Sequence, residues 1–133
     1  MTDDHTIIGE GRRVLELEAA AVAALAHRIG DDFAQACSMI AGAGGRIVTC
    51  GIGKSGHIAR KMAGTLTSTG TPAIFLHPVE ALHGDLGIVG REDVAIVISK
   101  SGDSDELRGL IDYLNRLSVP IIALVGVSRS QLA

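Results

Sequence analysis

Between residues 10 and 28 the apolar positions Val14, Leu17, Ala21, Val22 and Leu25 recur at helical spacing, with Arg13, Glu16 and Glu18 on the polar side. This pattern predicts a long first helix. Residues 31 to 43 repeat it with Phe33, Ala36, Cys37 and Ile40, and Gly44-Gly45 ends the second helix. From Arg46 the period changes. RIVTC is short, apolar and β-branched, GIGKSG follows it, and residues 56 to 69 return to helical spacing with Ile58, Met62, Ala63 and Leu66 on one face. Further strands are predicted near 73 to 76, at 93 to 99 (DVAIVIS) and at 120 to 125 (PIIALV). A helix at 105 to 118, with Leu107, Leu110, Ile111, Leu114 and Leu117 facing inward, separates the last two. Strands that are apolar throughout and alternate with helices imply a parallel α/β sheet covered on both faces, joined by right-handed crossovers. The closing residues VSRSQLA read as the start of another helix, so the sequence is expected to be a truncated domain.

Composition narrows the class. The 133 residues suit one domain. They are 47% hydrophobic but only 2% aromatic, with no Trp, so the core is built from Ala, Val, Ile and Leu. The formal charge is -3 and no run of like charge exceeds two residues, which argues against nucleic acid as a partner. The N-terminus MTDDHTIIGEGRR lacks the basic-then-apolar signature of a leader, and no apolar stretch reaches membrane-spanning length. A soluble cytoplasmic protein is expected, with Cys37 and Cys50 as buried free thiols.

Ligands of open α/β sheets bind beyond the carboxyl ends of the strands, which directs attention to two loops. The first, Gly51-Ile52-Gly53-Lys54-Ser55-Gly56, matches GxGxxG. A dinucleotide reading also wants an acidic residue at the end of the second strand, where Phe75, Leu76 and His77 stand, and a Walker A reading needs Gly where Val48 stands. The second loop, Ser99-Lys100-Ser101-Gly102-Asp103-Ser104, sets three hydroxyls and a cation before a helix. It is either a phosphate cradle or a solvated turn with Ser or Asp as N-cap.

The run GIGKSGHIARKMAGTLTSTGTPAIFLHPVEALHGDLG, a strand and then SKSGDSDEL closely resembles the SIS (sugar isomerase) domain family over residues 45 to 133. HPVEALHGDLG is the segment most particular to its arabinose-5-phosphate isomerases. The resemblance implies a doubly wound sheet of order 2-1-3-4 with its remaining strand missing, behind an N-terminal helical hairpin. It implies interconversion of D-arabinose 5-phosphate and D-ribulose 5-phosphate, and a homo-oligomer, a tetramer in the family. By the same resemblance Ser55, Ser99, Ser101 and Ser104 hold the substrate phosphate, and Lys54, His83 and Glu106 are catalytic. Lys100 stands where Asn or Gln is usual and Asp103 where Glu is usual, and the family's further glutamate and histidine would lie beyond Ala133.

An aldose-ketose isomerase needs a general base, a group to stabilise the enediolate and an anchor for the phosphate, and because no net electron leaves it needs no redox cofactor. Glu106 can serve as base, Lys54 as the electrostatic group and His83 as proton-transfer partner. Each also has a plain structural reading. Glu106 stands three residues after Asp103, the spacing of a capping box. Lys54 can be a solvated lysine, and His83 a satisfied loop histidine. His77, Glu80, His83 and Asp85 gather potential ligands but fit no standard zinc spacing, so no metal is expected. His57 is expected at the surface. The alternatives to an enzyme are a non-catalytic sugar-phosphate sensor and an inactive fragment.

Overall fold

The computed structural model describes residues 4–133. Two units emerge, one ending at Cys37 and one running Ser38–Ala133. The first carries the helix α1, Asp4–Ala26, and most of α2, Asp31–Ala41. Helix α1 begins earlier than the periodicity predicts, because Gly9 and Gly11, which each cost about 1 kcal/mol relative to Ala, do not interrupt it. None of its described side chains is buried. Ile7, Ile8, Leu15, Leu17, Val22 and Leu25 are all half or more exposed.

The second unit is the expected sheet. Strands β1 (Ile47–Gly51), β2 (Ala73–Leu76), β3 (Val94–Ser99) and β4 (Ile121–Val125) lie in the order 2-1-3-4, all parallel. Alternation along β1 and β3 divides the core between the two faces. Val48, Cys50, Ala95 and Val97 pack with Leu107, Leu110 and Leu114 of α5 (Asp105–Leu117). Ile47, Val94 and Ile96 meet Met62 and Leu66 of α3 (Gly53–Ser68), together with Met39 and Ile40. Buried Thr49 donates to the Ala59 carbonyl at 2.8 Å, which joins β1 to α3 without leaving a polar group unpaired. Asp93 precedes β3 rather than starting it. Its buried carboxylate accepts the backbone N–H groups of Arg46 (2.7 Å) and Gly90 (2.8 Å).

Three expectations are corrected. Residues 127–133 form turns, not a helix, because the N–H groups of Gln131 and Leu132 are taken by Asp103 and Gly102. Residues 77–88 are not a plain loop. They hold the short helix α4, Pro78–Leu82, and a 3-10 turn, Asp85–Ile88, with Pro at the first position of α4 and His77 capping it. Both cysteines are free as expected, but Cys37 is exposed. Only Cys50 is buried, and burial pushes its thiol up to about 12.

Candidate functional site

The glycine segment after β1 is mostly helix. Ile52 is the N-cap of α3, and Gly53 (φ 56°), Lys54, Ser55 and Gly56 lie in the first turn. Its glycines allow close packing of backbone on backbone. A Cβ on Gly56 would come within 2.7 Å of the Gly51 carbonyl oxygen, and one on Gly51 within 2.8 Å of Ser55 backbone atoms. No side chain but hydrogen can stand at either position, so β1 and α3 meet closely enough for Ser55 to face the end of β3.

There it joins the serine loop. A cavity of about 540 Å³ is lined by Ile52, Ser55, Ile98, Ser99, Lys100, Ser101, Ser104, Glu106 and Leu107. All four expected phosphate-binding serines and one of the three expected catalytic residues thus share one cleft at the carboxyl edge of the sheet. Ile52, Ile98 and Leu107 supply an apolar wall that sequence reasoning assigns only to the core.

The hydroxyls are in different states. Ser99 Oγ accepts the Gly102 N–H at 3.0 Å and Ser101 Oγ accepts the Asp103 N–H at 3.4 Å, so both fold the loop while their own protons stay free to donate. Ser104 is the N-cap of α5 by position but makes no side-chain cap bond. Its Oγ is buried with no hydrogen-bond partner. An unpaired buried hydroxyl costs about 1–3 kcal/mol, which a ligand oxygen in the cleft would relieve. The positive end of the α5 dipole adds to the attraction for an anion.

Because the helix starts at Asp105, Glu106 is its second residue and not the partner of a capping box with Asp103. The Asp103 carboxylate instead accepts the Gln131 N–H at 2.7 Å. Glu106 is exposed on the cavity wall and makes no hydrogen bond, leaving both oxygens open to a ligand.

Lys54 and His83 do not line this cavity. Lys54 is exposed, one residue before Ser55 on the first turn of α3. His83 follows α4, exposed, with Nδ1 2.8 Å from the Val79 carbonyl. A carbonyl only accepts, so Nδ1 carries the proton and Nε2 offers its lone pair. His77 is the reverse. Its Nδ1 accepts the Val79 N–H at 3.2 Å, which leaves Nε2 protonated. His57 is exposed, as expected. It shares a smaller cavity, of about 170 Å³, with Arg60, Phe75 and His77, and the Arg60 guanidinium sits 4.2 Å over the Phe75 ring. Among the described residues no three His, Cys, Asp or Glu side chains are grouped to hold a metal ion. Nor is any helix among them long and apolar enough to cross a membrane.

Relatives carry the same arrangement of elements. The chain is 43% identical over its full length to the arabinose 5-phosphate isomerase KdsD of Pseudomonas aeruginosa, covering 41% of that protein. It is 49% identical over 92% of its length to KdsD of Escherichia coli O6:H1, covering 38% of it. It therefore spans about two fifths of the length of these curated relatives. An E. coli CFT073 protein solved in complex with arabinose 5-phosphate superimposes with a TM-score of 0.93 at 36% identity, over 99% of this chain and 70% of that one. The SIS domain family matches residues 39–133, the serine loop and its cavity included, and the chain belongs to that family.

Proposed function

We propose that this chain forms the substrate-binding part of an aldose-ketose isomerase that interconverts D-arabinose 5-phosphate and D-ribulose 5-phosphate. One observation carries the reading: the buried, unpartnered Ser104 hydroxyl opens onto a cleft where three other serine hydroxyls and the Glu106 carboxylate converge. The isomerases at 43% and 49% identity and the relative holding arabinose 5-phosphate favour the same assignment. The phosphate accepts hydrogen bonds from Ser55, Ser99, Ser101 and Ser104, with Lys100 adding positive charge at the rim.

The chemistry follows from the anchored end. Once the ring is open, Glu106 takes the proton from C2 of the aldose, the freed electron pair forms the C1–C2 double bond, and negative charge collects on the carbonyl oxygen at C1. Lys54 stabilises that oxygen electrostatically. His83, through its unprotonated Nε2, relays protons to and from the hydroxyls during ring opening and enediol tautomerisation. Return of a proton to C1 and loss of the one on O2 complete the ketose, with no net change of electrons. Measurement of deuterium incorporation into D-arabinose 5-phosphate in deuterated water, with the full-length protein and without added nicotinamide, tests the reading. Robust exchange at the carbon beside the carbonyl is expected, and tight binding without exchange would instead indicate a sensor.

We also propose that the protein is a homo-oligomer assembled through the exposed apolar stripe of α1. Light scattering showing only monomer across micromolar concentrations would overturn this.

A further inference from the structure

The hydroxyl loop is held from behind by the segment that follows β4. The Gly126 N–H donates to the Lys100 carbonyl at 3.2 Å, and the Leu132 N–H to the Gly102 carbonyl at 3.2 Å. The Gln131 N–H donates to Asp103 Oδ1 at 2.7 Å. Leu132 is buried in the same core as Leu107 and Leu110. From α5, Arg108 Nε reaches the Gln131 side-chain oxygen at 3.2 Å. Gly102, at φ 75°, is buried so closely under this segment that a Cβ would run into the Ser130 side chain.

Two of the three bonds from the segment to the loop are backbone to backbone and available to almost any sequence. The third is accepted by a side chain, and it is the shortest. Charge makes the choice of that side chain consequential, since a carboxylate inside an anion-binding loop repels the ligand. Lys100, Ser101 and Ser104 all line the cavity, whereas Asp103, between them, does not.

We infer that Asp103 is a positioning residue for the phosphate site: its carboxylate, turned away from the cavity onto the Gln131 N–H, ties residues 99–104 to residues 126–132. This holds the Ser101 and Ser104 hydroxyls where an oxyanion meets them. The inference rests on the phosphate reading above. What the site uses is the acceptor oxygen of Asp103, while the charge works against binding. Asparagine keeps the acceptor and drops the charge, and alanine drops both.

The test is calorimetric titration of D-arabinose 5-phosphate, and of inorganic phosphate as a second probe, into the wild-type protein, Asp103→Ala and Asp103→Asn. Thermal unfolding of each protein is measured alongside. Asp103→Ala should weaken both ligands on the order of tenfold, while Asp103→Asn binds at least as tightly as wild type. Gln131→Pro removes the donor and leaves Asp103 intact. It should match Asp103→Ala, and it decides the matter should that variant fail to fold. Affinities within twofold of wild type for both Asp103→Ala and Gln131→Pro would overturn the inference. So would equal weakening by Asp103→Asn and Asp103→Ala, or tighter binding by both. A wild-type protein that binds neither ligand would overturn the phosphate reading itself, and this inference with it.

Discussion

Two polar segments leave the same edge of the sheet, residues 77–88 after β2 and residues 99–104 after β3, and they use their polar groups in opposite ways. The first is richer in groups that could bind or react. Its histidines are nonetheless partly committed to local structure: His77 caps α4 through the Val79 N–H, and His83 bonds the Val79 carbonyl. The second contains only short hydroxyls, one lysine and one carboxylate. Ser99 and Ser101 accept backbone N–H groups and can still donate, and Ser104 is not committed at all. Bonding capacity left unspent, more than residue type, marks the serine loop as the place where a ligand completes the structure.

The largest expected effect that sharpens this contrast is catalytic. Glu106→Gln in the full-length enzyme should lower turnover by roughly 100- to 10,000-fold while leaving phosphate affinity near wild type. A loss under tenfold would place the base elsewhere. His83→Ala, in the same exchange assay, should show whether the free Nε2 lone pair matters, with a loss of at least about 100-fold expected.

Next comes Ser104→Ala, for which calorimetry should show a roughly 10- to 100-fold loss of sugar-phosphate affinity, the worth of a hydrogen bond to a charged group. The ligand-free variant should be as stable as wild type or more so, because it removes a hydroxyl that has no partner. Clear destabilisation without ligand would mean that Ser104 is a structural cap. His77→Ala supplies the counterpart. It should cost about 1 kcal/mol of stability, the usual worth of an N-cap, read in chemical denaturation.

The smallest effect concerns the thiols. At pH 8, alkylation of the folded protein should add one group, at exposed Cys37, and none at Cys50. The Cys50 thiol is raised from an ordinary value near 9 to about 12 by burial, so the folded state binds its proton more tightly than the unfolded chain. The stabilising contribution is therefore complete below about pH 9 and disappears as pH rises towards 12. Two adducts at pH 8 would show that the sheet opens readily around β1.

Strand positions are legible in the sequence to within a residue or two because fully buried strands are short, β-branched and bounded by glycine or polar turns. The serine loop is legible from its composition and place. What the sequence conceals is who bonds to whom over distance. Asp103 and Gln131 are 28 residues apart, so nothing local separates Asp103 as a helix cap from Asp103 as the anchor of a distant segment. For the same reason VSRSQLA resembles a helix start. Its N–H groups go to the serine loop, and only the folded sheet brings the two together. Glu106 has the spacing of a capping box without being part of one, because moving the helix start by one residue, to Asp105, changes every cap position.

The strand order carries a consequence for the growing chain. β1 is central and pairs with both β2 and β3, yet Val94, the β3 partner of Ile47, is added 47 residues later. At synthesis rates of roughly 5–20 residues per second, that interval lasts several seconds. During it the apolar strand Ile47–Gly51 has at most one neighbour and presents a bare row of backbone donors and acceptors. Protection of the nascent protein from aggregation thus depends on how soon the ribosome delivers residues 94–99.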